Sequence, residues 1–142
     1  MSTLSLSILS PERRLIENLK VGELTLTGSE GQIQILPGHA PMVGTLETGI
    51  FHYQAGAESS VTGLISSGFF HVISKGDDTE VSLLAETLEL KAEIDVERAR
   101  RAQKTAEDAL KDANLEEGKF KKYQLKLQRA MIRQQVAGRE AH

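Results

Sequence analysis

Up to about Leu84 the apolar positions recur at every second residue. Leu4, Leu6 and Ile8 alternate with Ser5 and Ser7, Leu24 and Leu26 with Thr25 and Thr27, and Ile33 and Ile35 flank Gln34. Four further segments, Ile50–Tyr53, Val61–Ile65, Phe69–Ile73 and Val81–Leu84, are rich in apolar, β-branched and aromatic residues. Between these runs lie Gly28–Gly31, Pro37–Pro41, Gly56–Ser60 and Lys75–Asp78, all turn-forming stretches. A period of two turns one face of each strand towards a core, so many short strands with Gly-rich turns predict a β-sandwich or barrel. In a sandwich, two packed sheets let every strand bury that face.

From Asp95 the period changes. Ala99, Ala102, Ala106, Ala109 and Ala113 follow one another at helical spacing, an alanine seam along one face. After a break at 114–118, Phe120, Tyr123, Leu127, Ala130, Gln134 and Ala137 form a second seam with the same spacing. Two such helices joined by a short loop predict an antiparallel hairpin. Burial contributes only about 25 cal/mol per Å² of apolar surface, and alanine has little surface to bury. With Gln134 also in the seam, the hairpin is expected to be marginally stable alone and able to swing or open. The expected fold is therefore α+β: an N-terminal antiparallel β-sandwich over residues 1–86, a linker over 87–94 and a C-terminal antiparallel two-helix hairpin over 95–142.

The chain has 142 residues, 39% hydrophobic and 26% charged, a folded and not a disordered balance. No apolar run approaches the roughly 18 residues that a bilayer span requires. The first residues, Met1–Ile8, lack the basic-then-apolar plan of a signal peptide. With no cysteine there is no disulfide framework, thiolate metal site or cysteine nucleophile. An intracellular protein is expected, held at a membrane only through other proteins. The charge is uneven: residues 1–94 carry five Lys/Arg against twelve Asp/Glu, and residues 95–142 carry twelve against eight. An acidic first module and a basic second one point to different neighbours for each.

The stretch Gly28-Ser-Glu-Gly-Gln-Ile-Gln-Ile-Leu-Pro-Gly-His-Ala-Pro41 resembles the signature of the F-type ATP synthase epsilon subunit family (delta in mitochondrial nomenclature), a Gly-x-x-Gly turn followed by Leu/Tyr-Pro-Gly-His-Ala-Pro. Ser66–Phe69, Leu84–Thr87 and Ile94-Asp-Val-Glu-Arg-Ala99 agree with the family in order and spacing, so the resemblance covers nearly the whole chain. Gln34 and Ser67 depart from it, each standing where the family usually has Gly. The resemblance implies a non-catalytic rotor subunit on the cytoplasmic face of a bacterial plasma membrane. Its ten-stranded sandwich would dock on the gamma subunit and the c-ring. Its hairpin would lie on the sandwich or extend towards the alpha and beta subunits, where it brakes ATP hydrolysis.

Individual residues admit two readings. Gly28–Gln32 and Pro37–Pro41 set turn geometry, while the resemblance directs Glu30, Gln32 and His39 towards the c-ring and gamma. Asp95 is a natural helix N-cap with Glu97 favoured in the first turn. The resemblance instead makes Ile94, Asp95, Arg98, Ala99, Arg129 and Arg133 a regulatory ATP site, with arginine forks suited to phosphate. Thr105 stands where ATP-binding relatives offer another arginine. No cofactor is otherwise required. Between Lys119 and Arg139 lie seven basic residues and no acidic one; Lys122, Lys126, Arg129 and Arg133 form one helical stripe. Such a stripe is either a solvated face or, as the resemblance implies, a contact for an acidic part of the beta subunit.

His39, His52, His71 and His142 have no metal-ligand spacing. No GxxxxGK[ST], GxSxG or HExxH motif supports an enzyme, and no acid/base pair of carboxylates is evident. A nucleic-acid module could rest on the basic second helix, but the acidic first module and the lack of an aromatic strand platform oppose it.

Overall fold

The alternating segments form strands in the computed structural model, which describes residues 2–57 and 59–138. Arg139 of the basic run and His142 lie outside the described residues. In chain order the strands are β1 (Thr3–Leu9), β2 (Arg14–Val21), β3 (Glu23–Gly28), β4 (Gly31–Ile35), β5 (Met42–Leu46), β6 (Gly49–Gln54), β7 (Ser60–Lys75) and β8 (Asp78–Leu90). A 3-10 turn at Lys91–Glu93 leads into helices α1 (Val96–Leu110) and α2 (Glu117–Gly138).

The ten strands implied by the resemblance are eight among the described residues, because β7 and β8 each run through both layers. The segments Val61–Ile65 and Phe69–Ile73 belong to one strand that bends at Ser66-Ser67-Gly68 without losing register against β8. One layer holds β2, β1, the first half of β8, the second half of β7, and β5; the other holds β4, β3, β6, the first half of β7 and the end of β8. Pairings are antiparallel except β1 with β8, which run parallel from Thr3 opposite Asp78 to Leu9 opposite Leu84. Gly68 is required at the bend, since a Cβ there would lie 1.8 Å from the Leu84 carbonyl oxygen.

The alternation places Leu4, Leu6, Ile8, Leu24, Leu26 and Ile35 in the core with Phe51, Ile65, Val72 and Leu83. Full burial of such a side chain contributes about 1.5–3 kcal/mol. Strands β2 and β5 show no clean alternation. β2 carries two register shifts against β1 and a left-handed Asn18 at φ 51°, and β5 is mostly exposed.

The linker expected at 87–94 begins later. Thr87–Leu90 continue β8 against Gly63–Ser66, and Leu88 is buried, so the sandwich extends to Leu90. Pairing with β7 holds these residues in strand geometry although their sequence reads as a tail. The hairpin forms as expected, with a loop of 111–116. Its polar seam residue is satisfied: Gln134 Nε2 donates to Gln103 Oε1 at 2.5 Å and to the Ala130 carbonyl at 3.2 Å. The pair is folded down on the outer face of the second layer, with α2 against β6 and β7. Leu64 and Ser66, which face away from the sandwich core, are fully buried beneath it.

Candidate functional site

Where the sandwich ends and the hairpin begins, the chain builds one cleft from three elements. Asp95, in extended geometry, caps α1: its carboxylate accepts from the Arg98 backbone N–H at 3.1 Å, so its structural role is realised. Ala99, one turn into α1, is buried against the hairpin partner, and Arg98 beside it is exposed. Arg129 and Arg133, four apart on α2, project towards the sandwich. Nε of Arg129 donates to Ser66 Oγ at 3.4 Å. Arg133 grips the Glu89 carboxylate through Nε at 2.9 and 3.0 Å and Nη2 at 2.7 Å.

The resulting cleft has a volume of about 620 Å³. Asp95, Arg98, Ala99, Arg129 and Arg133, five of the six residues expected at a nucleotide site, line it together. The sixth, Ile94, does not line it; its backbone N–H closes the 3-10 turn onto the Lys91 carbonyl. Ala99, Ala102 and Ala106 form a smooth small-residue wall, with Thr105 beside them. Glu89, Glu93, Tyr123 and Lys126 complete the lining.

These last four carry no family motif in sequence. Glu89 enters because β8 outlasts its alternation. Lys126 and Tyr123 enter because α2 rotates one flank towards α1 and another towards the sandwich, as the buried Val136 outside the predicted seam also shows. Helical spacing alone gives the stripe but not which way it faces.

The cleft is lined by four cations, Arg98, Lys126, Arg129 and Arg133, and three carboxylates, of which Asp95 caps α1 and the other two are in ion pairs. Glu89 is taken by Arg133, and Glu93 by Arg13 of the β1–β2 loop, whose Nη1 and Nη2 lie 2.9 and 2.7 Å from its oxygens. Hydrogen bonding from Arg13, then from the Leu90 N–H, holds the Glu93 carboxyl below the usual carboxylate range, and the same pair raises Arg13. Among the described residues, the side chains of Arg98 and Lys126 have no carboxylate partner, and Arg129 has only the Ser66 hydroxyl.

The basic stripe is thus divided. Lys122 and Lys126 are both exposed, but only Lys126 borders the cleft, with the half-buried Arg129 and Arg133. Glu30 and Gln32 are exposed at the start of β4, and His39 follows its far end, where its ring Nδ1 meets the Ala40 carbonyl at 2.7 Å. The β4–β5 loop is tethered by Gly38 N–H donating to Thr79 Oγ1 at 2.9 Å. His52 bonds Thr62 at 2.8 Å and His71 is exposed on β7. No group of three His, Cys, Asp or Glu arranged for a metal occurs among the described residues. No helix among them is long and apolar enough to cross a membrane.

In fold, the chain is similar to chains in two mitochondrial assemblies. One is the Euglena gracilis ATP synthase OSCP/F1/c-ring, with TM-score 0.81, 21% identity, 92% of this chain and 79% of that chain covered. The other is the Tetrahymena thermophila ATP synthase central stalk/c-ring, with TM-score 0.62, 13% identity and coverage of 94% and 96%. In sequence it is 40% identical to the ATP synthase epsilon chain of Trichlorobacter lovleyi over 97% of this chain and 96% of that protein. It is 37% identical to that of Halalkalibacterium halodurans, with 98% and 100% covered. The family models described as ATP synthase, Delta/Epsilon chain, beta-sandwich domain and long alpha-helix domain match residues 3–91 and 92–138. The chain belongs to the ATP synthase delta/epsilon chain family.

Proposed function

We infer that the chain is the non-catalytic central-stalk subunit of a proton-translocating ATP synthase, coupling proton flow to ATP synthesis through its sandwich and restraining ATP hydrolysis through its hairpin. The observation that carries this reading is the division of labour in the fold. Family matches span both modules, and the hairpin meets the sandwich through a small polar seam, Arg129–Ser66 and Arg133–Glu89, beside modest apolar contact. Such an attachment is strong enough to hold and weak enough to release.

In this reading the sandwich binds the gamma subunit and the c-ring, with Glu30, Gln32 and His39 among its contacts. Membrane association comes only through the complex, on the cytoplasmic face of a bacterial plasma membrane. When extended, the hairpin presents Lys122, Lys126, Arg129 and Arg133 to an acidic part of the beta subunit next to alpha, a contact that salt weakens. When folded down, the cleft takes ATP as a regulatory ligand, with Arg98, Arg129 and Arg133 facing phosphate. A ligand that binds only this form shifts the population towards it by its differential affinity. The convergence of those arginines with Asp95 and Ala99 in one cleft supports that role.

Affinity purification of the tagged chain from detergent-solubilised membranes tests the assignment. Gamma and the c-ring should be recovered with it. Recovery of the chain alone, or with nucleic acid, would contradict it.

A further inference from the structure

Arg98 is the cation that α1 brings to the cleft, because Thr105, further along the same wall, is neutral and short. The opposite wall compensates. Lys126 lies three residues before Arg129 on α2, so the two share a face of the helix. Its ammonium sits 5.5 Å from the centre of the Tyr123 ring, in cation–π range, and has no carboxylate partner among the described residues. Lys122, one turn earlier and exposed like Lys126, is outside the cleft lining.

Three cations with no carboxylate partner, Arg98, Lys126 and Arg129, therefore border one cleft beside the neutralised Arg133–Glu89 pair, against one carboxylate outside an ion pair, Asp95, which caps α1, so a positive excess remains. Like charges gathered in a recess repel one another, and a multiply charged anion relieves that repulsion. Resting on the nucleotide reading of this cleft, we propose that Lys126 is a phosphate-binding residue of the folded-down state, supplying from α2 the positive charge that Thr105 does not supply from α1. Tyr123 holds it there, since the ring limits where the flexible lysine stem can go. Lys126 thus differs from Lys122 on the same stripe: one belongs to the anion cleft and the other to the outer surface.

The test is calorimetric titration of the full-length protein with ATP and with inorganic tripolyphosphate, in the wild type, Lys126→Gln, Lys122→Gln, Arg129→Ala and the double variant Lys126→Gln/Thr105→Arg. Thermal melting checks that each variant is folded. One charge-assisted phosphate contact corresponds to about tenfold in affinity. Lys126→Gln should weaken both ligands about tenfold, Lys122→Gln should leave both unchanged, and adding Thr105→Arg should recover most of the loss. Tripolyphosphate binding that falls with Lys126→Gln locates the loss at the phosphates. Equal loss in the two lysine variants would mean general surface charge and would overturn the proposal. ATP binding that depends on Arg129 but survives Lys126→Gln would overturn the role of Lys126 while leaving the nucleotide site standing. A wild type that binds neither ligand at millimolar concentration would overturn both.

Discussion

Arg133 on α2 holds Glu89 at the end of β8 through a forked ion pair, with the shortest contact 2.7 Å, and so ties the hairpin to the sandwich. Both side chains are about three-quarters buried, which protects the pair from solvent more than the Arg13–Glu93 pair. Charge-assisted hydrogen bonds of this kind contribute about 1.5–3 kcal/mol each where partly shielded. Glu89→Gln should therefore loosen the folded-down hairpin. Amide hydrogen exchange of β7 residues 62–66, which lie beneath α2, should speed up about tenfold, with little change in the β1–β8 pairing. Unchanged exchange in β7 would show that apolar packing alone keeps the hairpin down.

A second pair anchors the turn that leads into the hairpin, and so limits where the proposed release can pivot. Arg13 binds Glu93 and also donates to the Leu88 carbonyl at 2.9 Å, so the 3-10 turn is anchored to the sandwich. The pivot then falls between Glu93 and the start of α1. Glu93 has a lowered folded-state pKa, so its stabilisation is present above the unfolded carboxylate value and is lost as pH falls through the folded value. The raised value of Arg13 acts only at strongly alkaline pH, where it leaves the acid window untouched. Asp78, lowered chiefly by the Thr3 hydroxyl and also by Ser5 and Lys20, titrates in the same acid range in either protein. Thermal melts of wild type and Arg13→Gln should differ near neutrality, and the gap should narrow as pH falls through the lowered Glu93 value, leaving the share of the Arg13–Leu88 bond. A gap that did not narrow in acid would assign the whole effect to that bond and to packing of the arginine stem.

The strand bend gives a pair of opposite predictions. Ser67 has φ 54°, a left-handed geometry that costs a serine about 1 kcal/mol. Ser67→Gly should raise stability by up to about that amount in urea melts. Gly68→Ala should lower it by more than about 3 kcal/mol, because the new methyl would meet the Leu84 carbonyl and the Ala85 backbone. Equal effects would mean that the bend relaxes freely.

Truncation separates the two possible domain limits. Cutting after residue 86 removes the last strand residues opposite Gly63–Ser66 together with the buried Leu88, whereas cutting after residue 93 keeps both. The shorter product should be less stable by at least about 2 kcal/mol, the cost of losing one buried leucine from a core. Similar melting of the two would restore the earlier limit.

Most of this architecture was legible in the chain. The shift from period two to helical spacing marks both modules, and the alternating leucines and isoleucines of β1 and β3 predict their core face. β2 and β5 were not legible, since a bulge and an exposed face erase alternation. At the cleft, Asp95, Arg98, Ala99, Arg129 and Arg133 were named in advance through the family resemblance, which also named Ile94, a residue that does not line it. Glu89, Tyr123 and Lys126 could not, because their inclusion depends on how α2 is rotated and on how far β8 runs. The direction of a helix face is set by its tertiary partners and not by its own period.

ATP hydrolysis by an ATP synthase stripped of its epsilon chain, after adding back either the full chain or residues 1–93, tests the division between coupling and restraint most directly. Both proteins should bind the complex and restore coupled synthesis, and only the full chain should lower hydrolysis. Equal inhibition by the two, or failure of residues 1–93 to bind, would contradict it.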